Sequence, residues 1–124
     1  MEILSLNNAF EDDRGLIVDL ISNDEINAVT LITFNAGSIR ANHYHKKTIQ
    51  WNYIISGEIL FVTKRNDGER EERILKKGDY VVTRENESHA LKAIEFSEVL
   101  IITKGPRAGA NYESDTYRLK EPLI

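Results

Sequence analysis

Short β-type runs separated by glycine-bearing turns recur along this chain, and no helical hydrophobic period interrupts them. Ala28–Phe34, Ile39–His45, Ile49–Ile55, Glu58–Lys64, Tyr80–Thr83, His89–Ile94 and Val99–Thr103 are the main ones. Strands at about 8–12-residue spacing mean an all-β sandwich or barrel. The turns are explicit: Asn35-Ala36-Gly37-Ser38, Ser56-Gly57, Asn66-Asp67-Gly68 and Lys76-Lys77-Gly78-Asp79. Ala28–Phe34 (AVTLITF) is β-branched and apolar and predicts a buried strand. Upstream, Glu2–Leu6 reads as a short edge strand and Asp13-Arg14-Gly15 as a turn. Leu16–Ile21 is a β-rich run, and Ser22–Glu25 has the composition of one helical turn.

At 124 residues the chain reads as a single domain, 1–124, with a barrel core over about 28–103 and a tail over 104–124. The net charge of −4 argues against neutralising the phosphates of duplex nucleic acid. No apolar run approaches the ~20 residues of a membrane span, so neither a nucleic acid nor a membrane is expected as partner. The N-terminus MEILSLNNAFEDD lacks the basic flank of a signal peptide, which makes the cytoplasm the expected compartment. There is no cysteine, so any metal must be held by nitrogen and oxygen.

The stretch Gly37–Gly57 concentrates the chemistry. Side chains two apart on a strand leave the same face, so His43 and His45 project together. Gln50, Asn52 and Ile54 share one face of the next run, and Ile49, Trp51, Tyr53 and Ile55 share the other. Trp51, Tyr53 and Tyr44 are therefore expected between sheets or at a subunit contact, and Asn52 in the pocket lining beside Gln50. His89, the third and last histidine, falls in a remote β run. The tail contains Gly105-Pro106-Arg107 and Asn111–Arg118, too polar for a core strand. It is expected to pack on the barrel or a neighbouring subunit; alternatively Arg107 or Arg118 helps cover the pocket mouth.

Gly37, His43-Tyr44-His45, Gln50 and Gly57, in that spacing, resemble the first cupin motif, with Gln50 where glutamate is usual. Gly78, Arg84, Asn86 and His89 are similar to a degenerate second motif. Together they cover Gly37–Ala93, about half the chain. The resemblance implies a double-stranded β-helix, or jelly-roll barrel, often a homodimer. It further implies a divalent ion (Zn, Ni, Fe or Mn) ligated by His43, His45, Gln50 and His89, beside a small polar, sugar-derived or keto substrate. Neutral imidazoles suit such ions, and glutamine is a neutral, weaker donor than glutamate.

A narrower resemblance points elsewhere. Arg40-Ala41-Asn42-His43-Tyr44-His45-Lys46-Lys47 with Gln50 resembles the nucleotide-sugar 3,4-ketoisomerase cupins, and Asp12-Asp13-Arg14-Gly15 resembles the D-x-R-G of the epimerase and isomerase cupins. This implies metal-independent catalysis, with His43 and His45 as acid and base and Arg40 and Lys46 facing phosphate or ring oxygens. A non-catalytic sugar-binding role is the third expectation, because fold alone does not decide among these.

Overall fold

The computed structural model describes residues 1–6, 8–107 and 113–124. Its strands are β1 Glu2–Ile3, β2 Asn8–Asp12, β3 Gly15–Val18, β4 Ala28–Phe34, β5 Ile39–Tyr44 and β6 Ile49–Ser56. They continue as β7 Glu58–Lys64, β8 Glu71–Lys76, β9 Tyr80–Thr83, β10 Ser88–Ala93, β11 Ser97–Lys104 and β12 Tyr117–Arg118. One five-stranded sheet runs β1-β9-β6-β11-β4 and the other β12-β5-β10-β7-β8, all neighbours antiparallel. The two sheets enclose one apolar layer in an all-β jelly-roll. β2 and β3 form a separate hairpin turning at Asp13-Arg14.

The alternation along β6 explains how the sheets pack. Gln50, Asn52 and Ile54 are buried, while Trp51 and Tyr53 are half-buried on the opposite face. Ile54, Phe34, Val81, Val99 and Ile101 from one sheet meet Ile59, Phe61, Leu75, Leu91 and Ala93 from the other. This cluster closes one end of the barrel. Its members Phe34, Leu91 and Ile101 also form the apolar floor of the cavity at the other end. Gly57 joins β6 to β7 with φ at +86°, where a Cβ would meet Ser97 Oγ and the Phe96 carbonyl. Only glycine fits that approach.

Two expectations are corrected. Ala28–Phe34 is a strand, but not a buried one: Val29 is 63% and Leu31 58% exposed. β4 is the edge of its sheet, so only its alternate residues face the core, and apolarity on both faces imitates a buried strand. Ser22–Glu25 forms a bend rather than a helical turn, with Asn23 in the left-handed region at φ +61°. Elsewhere the strand runs match with shifted ends; the first is only Glu2–Ile3, and the run from Leu16 stops at Val18. Among the described residues no helix is long and apolar enough to cross a membrane.

Candidate functional site

His43 lies on β5, and the chain reaches it through an irregularity. His89 pairs with His43 but Ala90 pairs with Ala41, which leaves Asn42 as an extra residue on β5. Ala41 and Asn42 adopt φ of +71° and +56°. Such a β-bulge re-aims the side chain that follows it. Asn42 is fixed there by the chain's last residues: its Oδ1 accepts from the Leu123 amide at 2.8 Å, and its carbonyl accepts from the Leu119 amide at 2.9 Å. His45 follows β5, and His89 sits on β10 opposite His43.

The three histidines meet. Ring centroids are 4.8 Å apart for His43–His45, 4.7 Å for His43–His89 and 5.3 Å for His45–His89. One ring nitrogen from each lies within 4.8 Å of the others. His45 Nδ1 is 2.9 Å from the Asp115 carbonyl oxygen, and His89 Nδ1 is 3.0 Å from that of Glu87. A carbonyl oxygen only accepts, so both Nδ1 atoms carry the proton, and in the neutral form of each ring the lone pair is on Nε2. Among the described residues, His45 Nε2 and His43 Nδ1 have no hydrogen-bond partner, and both are buried. Burial, then the neighbouring His89, His45, Arg118 and Arg107, lowers the His43 pKa to about 3. Burial lowers His89 to about 4, against the opposing hydrogen bond to Glu87. Both imidazoles are neutral near pH 7.

This arrangement fits a divalent metal. Three imidazoles converge, two of them with Nδ1–H anchored on backbone carbonyls, as ligating histidines require. Gln50 is buried in the same lining and donates its amide N–H to Thr103 Oγ1 at 3.3 Å.

The cavity measures about 370 Å³. His43, His45, Gln50, Asn52, His89 and Arg40 all line it, as the sequence suggests. Asn52 uses its amide group on the Gln50 and Val81 carbonyls, both at 3.3 Å. Arg40 lies over the Phe34 ring at 5.3 Å and reaches the Thr33 carbonyl. Lys46 is absent from this lining; its Nζ sits 4.2 Å over the Tyr117 ring. Tyr117 in turn stacks on Tyr44 at 5.3 Å.

The tail returns to the site. Arg107, Glu113, Thr116 and Arg118 line the cavity, and Arg118 pairs with Glu113 at 2.8 Å. Asn111 and Tyr112 lie outside the described residues. Asp115 is the residue that sequence reading passed over. It is 5% exposed and holds the tail to the segment after His45. Its partners are 67 to 70 positions away, and no local pattern marks it.

A search of curated protein sequences finds no match. Among solved structures, the chain is similar to the WlaRB TDP-quinovose 3,4-ketoisomerase of Campylobacter jejuni. That match has a TM-score of 0.80 at 21% identity and covers 95% of this chain and 92% of that one. The dTDP-4-dehydrorhamnose 3,5-epimerase of Sulfolobus tokodaii matches with a TM-score of 0.70 at 16% identity, over 94% and 81% of the two chains. The capsular polysaccharide assembling protein CapF of Staphylococcus aureus gives 0.69 at 18% identity, and 98% of this chain spans only 33% of it. At these identities the likeness is one of fold. The family model described as the cupin domain matches residues 30–103, more than half the sequence, and the chain belongs to that family.

Proposed function

We propose that this chain is a sugar-modifying cupin of isomerase or epimerase type. Its cavity takes a small anionic keto sugar, nucleotide-activated, beside a divalent ion held by His43, His45, His89 and Gln50. The observation that carries the reading is the trio itself: three imidazole nitrogens within 4.8 Å of one another on the wall of a 370 Å³ cavity. Three histidines serving only as packing would have their buried nitrogens satisfied, and here two are not.

When bound, the ion supplies Lewis-acid polarisation of a carbonyl or hydroxyl. The chain does the rest. Arg40 and Arg118 at the cavity wall offer guanidinium forks to phosphate or carboxylate. The floor of Phe34, Leu91 and Ile101 excludes water from the less polar face of a sugar ring, and Asn52 and Thr116 supply hydrogen bonds to hydroxyls. The similarity to a ketoisomerase and an epimerase acting on dTDP-type sugars supports this substrate class. We further read residues 1–124 as one cytoplasmic domain that pairs with a second copy, a reading supported by the exposed Val29 and Leu31 on the sheet's outer edge.

A second reading has its own observation. With Nδ1–H held by the Asp115 carbonyl, His45 can accept a proton at Nε2 without losing that hydrogen bond. This suits a metal-independent proton shuttle, in which His45 or His43 removes the proton from the carbon beside the keto group and returns one to its neighbour.

Metal analysis and turnover of a thymidine-diphosphate keto sugar separate the two. The first reading expects bound ion in the isolated protein, stabilisation by added Zn, Ni, Fe or Mn, and loss of turnover on chelation or in His89→Gln. The second expects full turnover in chelator, retained in His89→Gln and abolished in His45→Ala. A protein that binds neither ion nor sugar nucleotide refutes both.

A further inference from the structure

Asp115 lies beyond the matched residues 30–103 and is not one of the candidate ligands, yet it reaches the site from two sides. Its Oδ1 accepts from the Lys46 amide at 3.1 Å, and its Oδ2 from the Lys47 amide at 2.8 Å and Thr48 Oγ1 at 2.7 Å. Its backbone carbonyl accepts the His45 Nδ1–H at 2.9 Å. One residue therefore grips both the turn that follows His45 and the ring of His45.

We propose that Asp115 is a positioning residue. It fastens the Glu113–Arg118 wall over the cavity and, through its carbonyl, fixes His45 in the Nδ1–H tautomer that presents Nε2 to His43 and His89. The importance of that tautomer for ligation rests on the proposed function; its existence does not.

The physical case is one of geometry. In the other tautomer the Nδ1 lone pair would face the carbonyl lone pair at 2.9 Å, a repulsion that the ring escapes only by turning or by losing the tail. The carbonyl keeps its place because the carboxylate takes three donors, two of them backbone amides that do not move independently of the turn. On the other flank, β12 holds the tail only from Tyr117 onward, by pairing with Tyr44 and stacking on its ring. Without the carboxylate, the three-donor anchor of residue 115 on the turn after His45 is lost. His89 provides an internal control, since its Nδ1–H is held by the Glu87 carbonyl instead.

The test reads tautomers directly, by long-range proton–nitrogen correlation on 15N-labelled, metal-free protein at about pH 8, above the ordinary imidazole pKa. Wild type is expected to show His45 and His89 as Nδ1–H. Asp115→Ala should move His45 toward a mixture containing Nε2–H and leave His89 unchanged, with Thr48→Val showing a smaller shift in the same direction. Zinc affinity, measured against a chromophoric chelator, should fall about tenfold or more in Asp115→Ala, the usual effect of losing the group that orients a ligating histidine. If Asp115→Ala does not fold, Asp115→Asn and Thr48→Val carry the same reading. His45 unchanged in every folded variant, or present as Nε2–H in wild type, overturns the proposal. Failure of wild type to bind zinc counts against the proposed function and leaves the tautomer result to decide this inference.

Discussion

Acid should unfold the metal-free protein through its histidines, before its carboxylates titrate. His43 and His89 have folded-state pKa values of about 3 and about 4, against 6.5 for the free group. Between those values and 6.5 the unfolded chain binds more protons than the folded one, so stability falls as pH falls through 6.5. At pH 5 an imidazole of ordinary pKa has gained about 2 kcal/mol from protonation in the unfolded chain, and the buried rings have gained almost none. Two rings give about 4 kcal/mol lost between pH 8 and pH 5, a large share of the roughly 5–15 kcal/mol that holds a domain together. The figure depends on the folded values lying well below 5, not on how far below. Glu2, Glu71 and Asp115 have pKa values lowered from 4.5, 4.5 and 3.8, so their contributions are lost only at more acid pH. Urea unfolding at pH 8, 7, 6 and 5, followed by fluorescence of Trp51, the one tryptophan, measures the loss. His89→Gln should roughly halve it. Equal stability at pH 8 and pH 5, or an unchanged loss in His89→Gln, would show that His43 and His89 are not held neutral by burial.

Three further outcomes follow from the same geometry. Zinc at about one hundred times its dissociation constant should stabilise the protein by about 2.7 kcal/mol in a thermal melt, reversed by chelator and absent in His89→Gln. Gly57→Ala should cost about 3 kcal/mol or more, because the left-handed φ and the contact with Ser97 and the Phe96 carbonyl add together. Gly37→Ala, at φ +82° with nothing near the added methyl, should cost only about 1–2 kcal/mol, and equal losses at the two sites would refute the steric argument. Arg118→Gln should weaken thymidine diphosphate about 10- to 100-fold by calorimetry, the share of a charged hydrogen bond, with the pH-dependent unfolding unchanged; undiminished binding would remove Arg118 from the anion site.

How much of this was legible depended on the range of each interaction. The pairing of His43 with His45, and of Gln50 with Asn52, follows from a side-chain period of two and needs no tertiary knowledge. The same period separates Gln50 and Asn52 from Trp51 and Tyr53 but not inside from outside: packing between the sheets was one expectation for Trp51 and Tyr53, and Gln50, Asn52 and Ile54 take the buried face instead. His89 was found only through a motif, because its meeting with His43 depends on β5–β10 register across 46 positions. The bulge at Ala41–Asn42 left no mark, since alanine at positive φ is imposed by its surroundings rather than preferred. Val29 and Leu31 misled because apolar residues on both faces of an edge strand look like those of a central one. Asp115 was invisible because a capping carboxylate in a polar tail has no composition of its own.

Charge then links the two halves of the proposed function. Gln50 stands where a carboxylate would offset part of an ion's charge, so His43, His45, His89 and Gln50 would surround a dication with neutral donors only. Arg40, Arg107 and Arg118 share the lining, and Glu113, already paired with Arg118, is the one carboxylate in it among the described residues. A cavity loaded with such an ion would thus be strongly positive in a chain whose net charge is −4. A neutral sugar would gain little from that field, whereas a diphosphate or carboxylate would be drawn in and held beside the ion. Arg118 and Arg107 also oppose protonation of His43, since an added proton would join them in a poorly solvated space. A cavity that repels protons and attracts anions keeps its imidazoles as lone-pair donors, whether an ion or a sugar proton takes the lone pair.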